Sequence, residues 1–118
     1  RTLDINLVSM FRCMQHEITL MLRGDGGAIV NTSSIGGRRG FANIQDYCAA
    51  KWGVIGLSKS AALEYATRGI RINVVAPGLV DTTRFQAART KYPQQIEQRL
   101  AEIPMARPGS ADEVAATV

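Results

Sequence analysis

Hydrophobic residues recur at spacings of three and four along the first turns of the chain. Leu3, Leu7, Met10, Met14, Ile18 and Met21 share one face, which predicts a helix over 3–22. Gly24-Asp25-Gly26-Gly27 interrupts the period and predicts a turn, since glycine reaches positive φ at little steric cost. Ala28-Ile29-Val30-Asn31-Thr32 is a short β-rich run and predicts a buried strand. Ser33 to Asp46 contains Gly36, Gly37, Gly40 and the Arg38-Arg39 pair, and predicts a loop. Helical spacing returns over 46–67 with Ala50, Val54, Leu57, Ala61 and Tyr65 on one face, and Gly69 stands where such a helix would end. Ile70 to Val75 reads as a second strand, stopped by Pro77-Gly78 because proline cannot donate to a sheet ladder. Residues 81–104 are polar and weakly helical, punctuated by Pro93 and Pro104. Ser110-Ala-Asp-Glu113 has the form of a capping box, with too few residues after it for a helix worth capping.

Strand, long helix, strand is a βαβ crossover. A connection of that length implies parallel strands, and parallel strands imply a sheet covered by helices on both faces. The expected class is α/β, part of a doubly wound parallel sheet, because two strands alone would leave most of the sheet unpaired. The chain opens directly into a periodic helix at Arg1-Thr2-Leu3 and stops soon after the capping box. The expectation is therefore that residues 1–118 form the catalytic half of a single domain, truncated at both ends. Ligands of such sheets bind outside the carboxyl ends of the strands. That edge would carry Ser33-Ser34, Pro77-Gly78 and the first turns of the connecting helix, with Tyr47 and Lys51.

Composition narrows the function classes. Of 118 residues, 46% are hydrophobic and 20% charged, which excludes general disorder. Two cysteines, Cys13 and Cys48, cannot make a disulfide framework and suggest a reducing, cytoplasmic setting. No apolar run is long enough to span a bilayer. The net charge of +4 raises nucleic-acid binding, but basic residues are dispersed, with Arg38-Arg39 the one adjacent pair. His16 is the single histidine, which removes the usual hydrolase acid/base and multi-histidine metal sites.

Tyr47 and Lys51 are four apart and share a helix face. A free tyrosine has a pKa of about 10, and a neighbouring ammonium stabilises its phenolate. A tyrosine tuned in this way can exchange a proton with an alcohol or carbonyl oxygen that a serine hydroxyl holds in place. The pair alone is a short pattern that chance also produces.

It is accompanied, however. Ser34 lies thirteen residues before Tyr47; Ile29 to Ser34 gives IVNTSS; Pro77-Gly78 is followed by Thr82; Asp4-Ile5-Asn6-Leu7 lies in the first helix; Pro104, Arg107, Gly109, Glu113, Val114 and Ala115 close the chain. In this order and spacing the chain resembles the short-chain dehydrogenase/reductase family over nearly its whole length. The resemblance implies a Rossmann fold and an oxidoreductase that transfers a hydride between NAD or NADP and an alcohol or ketone. It implies Tyr47 as general acid/base, Lys51 as its electrostatic partner and ribose ligand, Ser34 as the group orienting substrate oxygen, and Asn6 as support for a proton-relay water. Pro77, Gly78, Val80 and Thr82 would line the nicotinamide side. The helices at 3–22 and 46–67 would pair between subunits of a homo-dimer or homo-tetramer, and no metal, membrane or nucleic acid is implied.

Alternatives stay open at individual residues. Ser33 competes with Ser34, and the spacing to Tyr47 favours Ser34. Asn6 could bond backbone locally, and Thr82 could cap a helix as well as hold cofactor. Cys48 reads as packing, and the sequon Asn31-Thr32-Ser33 as coincidence. Gly53 and Gly56, costly inside a helix, fit close approach between subunit helices, or of a cofactor or the sheet. A non-catalytic relative of the fold, or an epimerase or dehydratase with the same Tyr/Lys pair, are the rival functions. The Gly-rich phosphate-binding turn and the residue selecting NAD or NADP are absent from these residues, so this segment alone would be inactive.

Overall fold

The computed structural model describes residues 1–118, which form two compact units, Arg1–Ala76 and Pro77–Val118. In the first, a π-helical turn at Asp4–Val8 runs into helix α1, Ser9–Met21. Strand β1 (Gly27–Thr32) follows, then a 3₁₀ turn at Ile35–Gly37, helix α2 (Gln45–Tyr65) and strand β2 (Ile70–Val75). The strands are parallel, in register from Gly27 opposite Ile70 to Thr32 opposite Val75. The α/β class and the crossover are as expected, whereas the first helix opens with wider π turns that hydrophobic spacing does not reveal.

The core gathers apolar residues from α1, α2 and both strands. Met14 and Ile18 of α1, Ile29 of β1, Ala61 of α2, and Ile70 and Ile72 of β2 are buried together, with Leu57 and Tyr65 packed against them. Alternation along β1 and β2 sends Ile29, Ile70 and Ile72 inward. A polar link runs through this core. Asn31 Nδ2 donates to Ser58 Oγ at 2.8 Å and contacts Met14 Sδ at 3.0 Å, while Ser58 Oγ donates to the Val54 carbonyl at 2.7 Å. Asn31 is 3% exposed, so the sequon that begins with it is closed to modification.

Two glycines set the start of the sheet. Gly26 (φ +92°) and Gly69 (φ +75°) are both left-handed, and a Cβ on Gly26 would lie 2.3 Å from the Gly69 carbonyl oxygen. That approach lets Gly27 N–H donate to Gly69 at 3.1 Å. Gly53 answers a different need from those expected. A Cβ there would meet Leu7 Cδ2 at 2.7 Å, so the close approach is to the first helix of the same chain. Gly56 would meet nothing within 4 Å.

The second unit contains α3 (Thr83–Lys91), α4 (Pro93–Ala101) and α5 (Ala111–Ala115). Residues 81–104 thus hold two definite helices rather than a weakly helical stretch. Phe85, Ile96 and Leu100 form a small core between them, with Leu79, Ala88 and Ile103 against it. Phe85 of α3 meets α4 residues Ile96 and Leu100, which recur at helical spacing. The capping box closes as its sequence form indicates: Ser110 Oγ accepts from Glu113 N–H at 3.1 Å, and Glu113 accepts from Ser110 N–H at 2.7 Å. Arg107 adds a two-pronged ion pair to the same carboxylate at 2.7 and 2.9 Å. No helix of the chain is long and apolar enough to cross a membrane.

Two predictions follow from these contacts. Ser58→Ala should cost about 1–3 kcal/mol in a urea-unfolding measurement, because it strands a buried Asn31 donor. Arg107, with help from the Ser110 N–H, lowers the Glu113 carboxyl to about 2. A carboxyl lowered on folding stabilises above its ordinary value and loses that contribution as pH falls. Hydrogen-exchange protection of the Glu113 amide should therefore decline as pH drops from about 4.5 to about 2, and Glu113→Gln should abolish the decline.

Candidate active site

The end of β1 divides two adjacent serines by direction. Successive side chains of an extended segment point to opposite sides. Ser33, whose N–H still donates to Val75 at 2.8 Å, turns its hydroxyl inward and is 3% exposed. Its Oγ donates to the main-chain carbonyl of Lys51 at 2.8 Å. Ser34 is half-buried and extended (φ −164°, ψ 164°), and caps the 3₁₀ turn by accepting the Gly36 N–H at 3.1 Å. An accepting hydroxyl oxygen keeps its own hydrogen as a donor.

The first turn of α2 brings Tyr47 to this loop. Asp46 anchors the turn: its carboxylate accepts from the Thr2 hydroxyl and from Tyr47 N–H, the latter at 2.8 Å. Those bonds, the Thr2 hydroxyl first, hold Asp46 below the usual carboxylate range. The Tyr47 ring packs over Gly36, where a Cβ would stand 3.3 Å from Cε1. Buried Cys48 lines the same point, with Sγ 3.6 Å from it, in keeping with a packing role. One turn further, Lys51 Nζ lies 5.7 Å from the Tyr47 ring centroid and donates to the Thr32 carbonyl at 3.1 Å. The shared helix face and the strand end together confine the ammonium beside the phenol.

Ser34, Tyr47 and Lys51 are thus joined through Gly36 and Thr32. Asn6 is half-buried in the π-helical turn, and its Nδ2 donates to the Thr2 carbonyl at 3.0 Å, the local backbone bond that its helical position allows. Thr2 therefore meets Asn6 through its carbonyl and Asp46 through its hydroxyl. Thr2, Gly37 and Asp46 escape a motif reading; of the three, Asp46 leaves a sequence signal, an acid in the first turn of a helix.

In the second unit, Thr82 caps α3, its Oγ1 accepting from Phe85 N–H at 3.2 Å. Val80 forms a parallel bridge with Gly109, made by Gly109 N–H to Leu79 (2.9 Å) and Asp81 N–H to Gly109 (2.8 Å). Neither bond uses the N–H or C=O of Val80, so both are directed away from the bridge. Pro77 is half-buried and Gly78 exposed in the segment that leads there, and a Cβ on Gly78 would meet nothing within 4 Å.

A family model described as enoyl-(acyl carrier protein) reductase matches residues 1–118. The chain is 46% identical over 118 residues to cyclohexanol dehydrogenase of Acinetobacter sp. (strain SE19), covering all of this chain and 45% of that protein. It is 44% identical over 116 residues to the 3-oxoacyl-(acyl-carrier-protein) reductase FabG of Staphylococcus aureus, covering 98% of this chain and 46% of that one. Among solved structures, levodione reductase superposes with a TM-score of 0.89 at 37% identity, over 98% of this chain and 46% of that one. ElxO with NADP bound superposes with a TM-score of 0.86 at 37% identity, over 95% and 45%. The chain spans about half the length of the curated relatives it matches.

Proposed function

The chain belongs to the short-chain dehydrogenase/reductase family, and from this we propose that the whole protein is an NAD(P)-dependent oxidoreductase acting on an alcohol or ketone. The observation that carries the reading is the Lys51 ammonium held 5.7 Å from the Tyr47 ring, beside the loop of Ser34. Dehydrogenase and reductase names among the relatives, and NADP in a solved one, support it. In this reading residues 1–118 are the catalytic half of a single Rossmann-type domain.

The donor set fits a nicotinamide cofactor. The Tyr47 hydroxyl and Lys51 ammonium suit ribose hydroxyls. The unused N–H and C=O of Val80 suit a carboxamide, with Thr82 as a further donor, and Pro77-Gly78 shape the approach. When bound, the nicotinamide accepts the hydride from an alcohol or supplies it to a ketone. The chain's own residues handle the proton. Tyr47 Oη takes it from the alcohol in oxidation and gives it to the carbonyl oxygen in reduction. The Lys51 ammonium, 5.7 Å from the Tyr47 ring centroid, is the positive charge beside the proton-transfer site. Ser34, its oxygen already engaged by Gly36 N–H, donates its hydrogen to the substrate oxygen. Asn6, with Nδ2 committed to Thr2, keeps its carboxamide oxygen for a relay water.

Tyr47→Phe should lower kcat/KM for NAD(P)-linked oxidation of cyclohexanol or another secondary alcohol by about 10²–10⁴-fold, followed by NAD(P)H absorbance. Unchanged turnover would end the acid/base assignment. The same reading makes α1 and α2, which leave Phe11, Trp52 and Leu63 exposed, the pairing surface of a homo-oligomer. Leu63→Glu combined with Phe11→Glu should then reduce the sedimenting mass to that of a monomer.

A further inference from the structure

Ser33 has no part in the chemistry just described, yet its hydroxyl is committed to one atom of the proposed machinery. Ser33 Oγ donates to the Lys51 carbonyl at 2.8 Å, crossing from the end of β1 to the interior of α2. A mid-helix carbonyl already accepts one intrahelical N–H, and its second lone pair is free for such a bond. The same residue is tied a second time to the same strand end, since Lys51 Nζ donates to Thr32 at 3.1 Å. Lys51 is thus held at its main chain by Ser33 and at its ammonium by the residue before it. A lysine stem has several free torsions, so the position of its base decides where the ammonium arrives.

A second observation concerns the loop above. A Cβ on Gly37 would stand 2.4 Å from Ser33 Oγ and 2.6 Å from the Lys51 carbonyl oxygen. No side chain fits there, and buried Gly37 closes the loop directly over the bond. Its N–H donates to the Ser34 carbonyl at 2.8 Å, so the turn that covers the bond also carries Ser34.

We propose that Ser33, roofed by Gly37, is a positioning residue that fixes the main chain of Lys51 against the end of β1 and so aims its ammonium at Tyr47. The inference rests on the catalytic reading of Lys51 and Tyr47. It assigns the two serines different tasks, one acting on substrate and one acting through lysine.

The test is a double-mutant cycle in the full-length protein, with wild type, Ser33→Ala, Lys51→Ala and the double variant measured for kcat and KM in alcohol oxidation. Ser33→Ala should lower kcat by about 10–100-fold, as expected of a displaced catalytic group, and leave KM for the alcohol unchanged. In the Lys51→Ala background the Ser33 substitution should have no further effect, because the group it positions is gone. Gly37→Ala, which forces a methyl onto the same bond, should repeat the masked loss. It provides a second route if Ser33→Ala folds poorly. An equal loss in both backgrounds, or no loss from either Ser33→Ala or Gly37→Ala, overturns the inference while leaving Lys51 catalytic. Full activity in Lys51→Ala overturns the catalytic reading and the inference with it.

Discussion

Parallel pairing of β1 with β2 is the constraint from which the rest of the first unit follows. Two strands can run in the same direction only if the chain returns the length of the sheet between them, and α2 makes that return. Once it does, the first turns of α2 lie beside the end of β1. The Tyr47–Lys51 pair and the two serines, which lie thirteen or more residues earlier in the chain, meet there. The register, with Thr32 opposite Val75, ends both strands level and fixes which β1 carbonyl receives the lysine ammonium.

Hydrophobic burial holds α2 to the sheet, but apolar contact tolerates sliding. The buried chain of Asn31, Ser58 and Met14 does not, because its hydrogen bonds are directional and an unpaired buried polar group costs free energy. Ser33 to Lys51 and Lys51 to Thr32 add two more directional bonds toward the site. From the core outward, α2 is thus pinned at Ser58 and again at Lys51, and the second pin is where the chemistry is proposed. Glycine serves the same geometry at both ends of the sheet, letting backbone approach backbone at Gly26 and roofing the serine–lysine bond at Gly37.

The second unit is organised by different means. Its core is small, made of Phe85, Ile96 and Leu100, and its helices begin at side-chain caps or proline. Thr82 caps α3, Pro93 opens α4 and Ser110 caps α5. At α5 the Arg107–Glu113 pair and the reciprocal cap share a single carboxylate, which satisfies donors of the first helical turn and fixes the turn before it.

By itself the sequence determined what local periodicity and spacing can encode. It marked β1 to within one residue and β2 at its observed bounds, showed the long helix between them, which ends at Tyr65 before a 3₁₀ turn (Ala66–Arg68) that Gly69 caps, and put Tyr47 and Lys51 on one face. It also carried the motif order by which the family is recognised. Tertiary structure alone decided that Ser33 turns to the Lys51 carbonyl while Ser34 caps the 3₁₀ turn, since a one-residue difference in an extended segment reverses the side chain. It decided that Gly53 serves Leu7 of the same chain, that Asp46 is braced by Thr2, and that Phe85 of α3 packs on Ile96 and Leu100 of α4. Each of these depends on which distant atoms become neighbours, and neighbourhood across the fold is set by packing, to which local periodicity is blind.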